Sequence, residues 1–303
     1  MSKIVFWSPL HGQGQTSNMH ILALILSLLY KKKILLMQTH ISMNNLEGPL
    51  VGKNVGIDGS IDDNIFQDIG LDAAVMYSRI NMLNKNTLES CCITFPETSL
   101  LLLPGTEIKN REIFEQDIGR NIFKVIEDIE KYVDIVMIDA NSGNNDLSFK
   151  MISSTDLTVI NLTQRRYVLD TFFQEYAGRF DFGKVFFLIG NYDKNSGYNI
   201  SNFQKKYRKY LGKNNSGVIP YSTRYLDALN ECELLKMVRN VLNIKRFAEI
   251  SSFGRMFIKK IKPGRFQNDE TEYFFYQACQ SAEKIVTKLN LAENKSFMKR
   301  RGA

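Results

Sequence analysis

The sequence predicts an α/β fold: a doubly wound, mostly parallel sheet of about seven strands with helices on both faces, and a helical C-terminal region. Three observations carry that prediction. Short continuous aliphatic runs, of the kind that sit fully buried in parallel sheets, alternate along the chain with longer stretches of helical periodicity. The first run, Ile4 to Trp7, feeds a Gly-rich turn (Gly12, Gly14) and a long apolar helix opened by Thr16, Ser17 and Asn18. A later run, DIVMID, ends on Asp139, and the carboxyl ends of parallel strands are where such sheets hold their ligands.

Taken in order, the first helix contains ILALILSLLY, and Lys33 to Met37 follows as a second strand ending in Gln38, Thr39 and His40. Gly52, Gly56 and Gly59 mark loops, and Leu71 to Leu88 is a helix-like stretch. Ser99 to Leu103 reads as another buried strand, closed by Pro104 and Gly105. Arg111 to Tyr132 then spaces Ile113, Phe114, Ile118, Ile122, Val125, Ile126 and Ile129 as one crossover helix. Asp134 to Asp139, Leu157 to Leu162, Lys184 to Ile189 and Gly217 to Ile219 are further strands, separated by helices at Tyr167 to Ala177 and Ile200 to Tyr210. Helices run from Arg224 onward. There is no internal repeat or low-complexity linker, so the expectation is a single domain over residues 1–303, with 245–303 forming C-terminal helices and a basic tail within it.

Composition sets the class. A chain of 303 residues, 44% hydrophobic and 23% charged, is ordinary globular material and not a disordered one. The longest apolar run, Ile21 to Tyr30, is too short to span a bilayer and meets Lys31, Lys32 and Lys33 directly. With a strand where a secretory leader would stand, the chain reads as cytoplasmic, with peripheral attachment at the inner face of the membrane left open. Cys91, Cys92, Cys232 and Cys279 show no C-x-x-C spacing and read as structural thiols of a reducing compartment. A formal charge of +7 points to an anionic partner: nucleotide, nucleic acid or lipid surface. Basic clusters lie at Lys205, Lys206, Arg208 and Lys209, and at Lys259, Lys260, Lys262 and Arg265; such runs are more often solvated helix faces than DNA-binding surfaces. Phe297 to Arg301, with Lys295 before it, is either a weak foot for anionic lipid or a solvated tail.

The chemistry concentrates in the first loop. A strand, a glycine turn and a helix N-terminus in succession make a phosphate cradle, because the glycines admit backbone N–H groups to an anion and the helix adds its positive dipole end. Gly12, Gln13, Gly14, Gln15, Thr16 and Ser17 are the cradle residues. A Walker A loop places a lysine before the hydroxyl residue, and here that position is Gln15.

The order of these motifs resembles the MinD/ParA family of P-loop ATPases over most of the chain. SPLHGQGQTSN is similar to the family's KGGxGKT[TS] loop and puts Leu10 on the signature lysine, His11 on the first glycine, Gln15 on the Walker lysine and Thr16 on the Mg²⁺-binding hydroxyl residue. ILLMQTHISMNNLE puts Gln38 and His40 on the D-x-D pair, whose second acid orients the attacking water; His40 itself reads as a solvent-facing loop histidine. DIVMIDANSG puts Asp139 on the Mg²⁺-linked Asp and Gly143 in the switch II turn. LLPGTEIKNRE resembles the segment after the third strand, GNYD (Gly190 to Asp193) the adenine-reading loop, and IPYSTRYLDALNECELL the adenine-side proline segment, which makes Asn191 and Pro220 the base candidates.

The resemblance implies ATP and Mg²⁺ as cofactors, held weakly or not at all, with Thr16 and Asp139 as the metal residues and no catalytic residue retained. It also implies a homodimer. A degenerate loop with its Thr and Asp kept looks most like the TadZ/CpaE branch, whose members act as localisation or scaffolding factors for pilus and secretion machinery. Three functions follow: a pseudo-ATPase scaffold that recruits a secretion or pilus ATPase; an active ATPase with an unorthodox loop, serving DNA partition or division-site placement, in which Arg165, Arg166 or another basic side chain supplies the missing cation; and a DNA-binding partition protein, for which nucleic acid is the less favoured partner.

Overall fold

The structure, a computed structural model, describes residues 1–41, 46–51, 69–243 and 270–301, the last helix by its backbone alone from residue 290. The loop glycines Gly52, Gly56 and Gly59 and the basic cluster Lys259 to Arg265 lie outside the described residues, as do the side chains of Lys295 and Phe297 to Arg301.

The described residues contain eight strands: β1 (Ser2–Trp7), β2 (Ile34–Gln38), β3 (Ile93–Thr94), β4 (Leu100–Leu102), β5 (Ile135–Asp139), β6 (Leu157–Leu162), β7 (Val185–Tyr192) and β8 (Ser216–Pro220). They form one sheet in the order β3-β4-β2-β5-β1-β6-β7-β8, in which β3 runs antiparallel to β4. The sequence predicts about seven strands; the eighth is β3, a two-residue edge strand too short to leave a hydrophobic pattern. The other strands are where the aliphatic runs place them. Every residue of β2, β4, β5, β6 and β8 is buried, as parallel strands covered on both faces require.

The chain divides into two compact units, one of residues 1, 23–141 and 224–251, the other of 2–22, 142–223 and 252–303. In the first, β2 pairs with β4 on one side and β5 on the other, and the register sets Gln38 level with Asp139. Two predicted helices are broken here. Leu71 to Leu88 is two helices, Leu71–Arg79 and Lys85–Cys91, parted by Asn81 in the left-handed region (φ 56°). Asn84 then caps the second: its side-chain oxygen accepts the N–H groups of Asn86 and Thr87, while Thr87 Oγ1 accepts the Asn84 N–H. Arg111 to Tyr132 is a short helix (Arg111–Phe114), a π-turn (Glu115–Gly119) and a second helix (Ile122–Ile129). The apolar spacing still marks the buried face, since of its seven positions Ile113 alone is exposed, at 48%.

In the second unit, β1 pairs with β6, and β6, β7 and β8 follow in parallel register. The helix predicted from Tyr167 to Ala177 is α-helical only over Arg166–Thr171 and continues as a π-turn, Phe172–Tyr176. Phe172 and Tyr176 are both buried against Trp7, with ring centroids 6.4 and 5.1 Å away, beside Phe149 and Phe180. The C-terminal helix, Glu270–Arg301, covers the outer edge of β8. Ser281 Oγ accepts the Val218 N–H and lies 3.0 Å from the Val218 carbonyl it donates to, so one hydroxyl satisfies both backbone groups of an edge residue. Gly217 permits this approach, because a Cβ there would lie 2.4 Å from Ser281 Oγ. No helix among the described residues is long and apolar enough to cross a membrane.

Candidate functional site

The loop between β1 and the helix Gln15–Tyr30 has the predicted glycine geometry. Gly12 and Gly14 adopt φ of 75° and 72°, a region in which a Cβ would be strained. Gly12 is exposed, and Gly14, Thr16 and Ser17 are half-buried at the rim. Behind them lies a net of neutral side chains. Gln15 is 8% exposed, and its Oε1 lies 2.9 Å from Ser8 Oγ and 3.4 Å from Ser142 Oγ; the two hydroxyls are themselves 2.8 Å apart. Gln13 donates from Nε2 to the His11 carbonyl and accepts at Oε1 from Thr163 Oγ1, at 2.9 and 2.7 Å. Asn18 donates from Nδ2 to Asn161 Oδ1 at 3.1 Å. The turn at Gly143 (φ 74°) is tied to the same strand, its N–H donating to the Ser8 carbonyl and its carbonyl accepting from Trp7 Nε1. The position that carries a lysine in a Walker loop is thus filled by an amide buried among hydroxyls.

At the far end of β7, Asn191 is exposed and left-handed (φ 47°), and the β7–β8 register is interrupted between Ile189 and Tyr192. Tyr192 is the register partner of Pro220, so the two base candidates stand at one end of neighbouring strands, Asn191 exposed and Pro220 buried. Arg165 and Arg166 are engaged with neighbours on their own segment. The Arg165 guanidinium donates to Tyr167 Oη, and Arg166, 74% exposed, pairs with Asp170 at 3.2 Å.

In the first unit, the ends of β2 and β5 form a second cluster. Asp139 is 1% exposed, and its carbonyl accepts the Thr39 N–H at 3.0 Å. His40 is not solvent-facing, contrary to the sequence expectation. Its side chain is 14% exposed, with Nε2 3.9 Å from Asp139 Oδ2. The register explains this: Gln38 is level with Asp139, and alternate residues share a face, so the residue two beyond Gln38 returns to the side of the acid. Gln38, 3% exposed, donates from Nε2 to the His40 carbonyl at 3.2 Å, while its Oε1 is buried without a hydrogen-bond partner among the described residues.

The sequence matches no protein-family model and no curated protein. Solved structures do resemble it. A ParA family ATPase from Chlorobium tepidum TLS superposes with a TM-score of 0.61 at 14% identity, covering 83% of this chain and 99% of that one. The septum site-determining protein MinD of Pyrococcus horikoshii OT3, solved with Mg-ADP, gives 0.52 at 17% identity over 80% and 98% of the two chains. The MinC:MinD cell division complex of Aquifex aeolicus gives 0.54 at 17% over 87% and 98%. The chain has the MinD/ParA ATPase fold.

Sequence reasoning puts the glycine loop before the first helix, Asp139 at the end of β5, and Asn191 and Pro220 near the ends of β7 and β8, which is where they lie. It misses Ser8, Ser142, Asn161 and Thr163, which hold the loop's side chains. Ser8 and Ser142 carry a signal, since each sits within the motif segments SPLHGQG and DANSG; Asn161 and Thr163 lie at the end of an aliphatic strand and carry none.

Proposed function

We propose that this protein is a MinD/ParA-like nucleotide-binding scaffold or localisation factor that hydrolyses little or no ATP and serves assembly of pilus or secretion machinery, as in the TadZ/CpaE branch. The observation that carries the reading is Gln15, buried and held by Ser8 and Ser142 inside a loop whose Gly12 and Gly14 are left-handed. Backbone N–H groups of Gly12 to Ser17 and the helix dipole are the means of holding phosphates, and Thr16 and Asp139 keep the metal roles that the resemblance assigns. Bound Mg²⁺ would screen phosphate charge; the chain supplies shape and neutral donors. A hydrogen bond to a charged group is worth roughly 1.5–3 kcal/mol, so the lysines replaced by Leu10 and Gln15 weaken binding about tenfold or more apiece. Turnover suffers more, since one preorganised donor to developing charge is worth about 10²–10³ in rate and His40 is no carboxylate. The two known neighbours solved with Mg-ADP and with MinC support the nucleotide and the protein partner, and membership of a homodimer and peripheral membrane attachment belong to the same reading.

Calorimetric titration with Mg²⁺-ATP beside a phosphate-release assay tests it. Weak binding, or none, is expected, with release no faster than from Thr16→Ala or Asp139→Asn. Release well above those variants overturns the scaffold reading in favour of an active ATPase with an unorthodox loop.

A further inference from the structure

We infer that His40, Asp139 and Gln38 form a binding site for a transition-series divalent cation such as Zn²⁺ or Co²⁺, occupied without any nucleotide. The three residues converge by register: Gln38 and Asp139 are Cα partners on parallel strands, so their side chains leave the sheet on one face, and His40 returns to it. Metal–ligand bonds of about 2.0–2.2 Å let two donor atoms on one ion stand up to about 4.2 Å apart, and His40 Nε2 and Asp139 Oδ2 are 3.9 Å apart. Closing to a tetrahedral angle needs about 3.4 Å, a side-chain movement of about 0.5 Å. The second, independent observation is Gln38 Oε1, a buried carbonyl oxygen with no hydrogen-bond partner among the described residues, on an amide anchored by its other end to the His40 carbonyl. Such an oxygen costs stability unless something binds it, and a cation beside a carboxylate that is 1% exposed supplies that. Among the described residues no three His, Cys, Asp or Glu gather at one point; the third ligand here is an amide. An imidazole in the set sets the class, because nitrogen ligands favour Zn²⁺, Co²⁺ or Ni²⁺, whereas carboxylate, carbonyl and water suit Mg²⁺.

The test is titration of the nucleotide-free full chain with Co²⁺, Zn²⁺ and Mg²⁺, followed by calorimetry and, for Co²⁺, by visible absorption. One ion per chain is expected, with Zn²⁺ and Co²⁺ bound at least about tenfold more tightly than Mg²⁺ and a cobalt spectrum lacking thiolate charge-transfer bands. His40→Ala and Gln38→Leu should each lose about tenfold or more in affinity; because Gln38→Leu gives up the donor to the His40 carbonyl along with the unpartnered oxygen, its unfolding midpoint is measured beside the parent's to show that the fold is kept. His40→Asp should retain a site but turn its preference toward Mg²⁺. Unchanged Zn²⁺ affinity in His40→Ala or Gln38→Leu, a parent that prefers Mg²⁺, or a thiolate spectrum overturns the inference. Because no nucleotide is present, none of these results depends on whether the glycine loop binds ATP.

Discussion

Gly190 shows how tightly the loop is held. A Cβ placed there would lie 2.7 Å from Asn18 Nδ2 and 3.3 Å from the Gln13 carbonyl, so a side chain can enter only by driving Asn18 off Asn161. Gly190→Ala is therefore expected to cost about 1–3 kcal/mol, the usual penalty of overpacking. Asn18→Ala alone strips a donor from buried Asn161 and costs a similar amount, about 1–3 kcal/mol. The two penalties share one side chain, so the double variant should fall well short of their sum. Urea unfolding midpoints at constant slope give the four values; strict additivity would mean that Gly190 does not press on Asn18.

The C-terminal helix joins two titrating groups that pull stability in opposite directions as pH rises. Burial pushes the Cys279 thiol up from 9.0 to about 12, with Glu283 adding to the shift. Burial also holds the Lys284 ammonium below its ordinary 10.5, while its Nζ donates to the Ser216 carbonyl at 2.9 Å. For the thiol, the unfolded chain releases its proton first, so above about pH 9 the unfolded state holds fewer protons and stability falls until about pH 12. For the lysine the folded chain releases first, so stability rises with pH up to 10.5. Cys279→Ser removes the first contribution and leaves the second. The difference in unfolding free energy between parent and variant should shift in the variant's favour by up to about 1.4 kcal/mol per pH unit above pH 9. A flat difference from pH 8 to 11 would show that the thiol ionises as easily in the folded chain as in the unfolded one.

Much of the fold was legible because burial on both faces writes strands as unbroken aliphatic runs, KILLM and DIVMID among them. Helix interruptions at Asn81 and in the two π-turns were not, since an apolar spacing of three and four survives a turn that slips by one residue. The site divides in the same way. Gly12 and Gly14 announce a local conformation, whereas the approach of His40 to Asp139 depends on a strand pairing between segments about a hundred residues apart, which only the register fixes. Charge is the property legible in sum and not in consequence. The net +7 includes Lys205, Lys206, Arg208 and Lys209, all exposed, with Lys206 Nζ 5.1 Å above the Tyr207 ring and Lys209 Nζ 5.4 Å above Tyr210. Two of the four cations are thus drawn onto aromatic faces of their own segment, which suits a solvated surface better than a rail for phosphates. Changing all four to Gln should leave the slope of log K against log salt for a short duplex altered by less than about 0.9, the value of neutralising a single phosphate. A fall of about 3.6, the value of four phosphates neutralised together, would instead make this cluster a DNA-binding face and favour the partition reading over the scaffold.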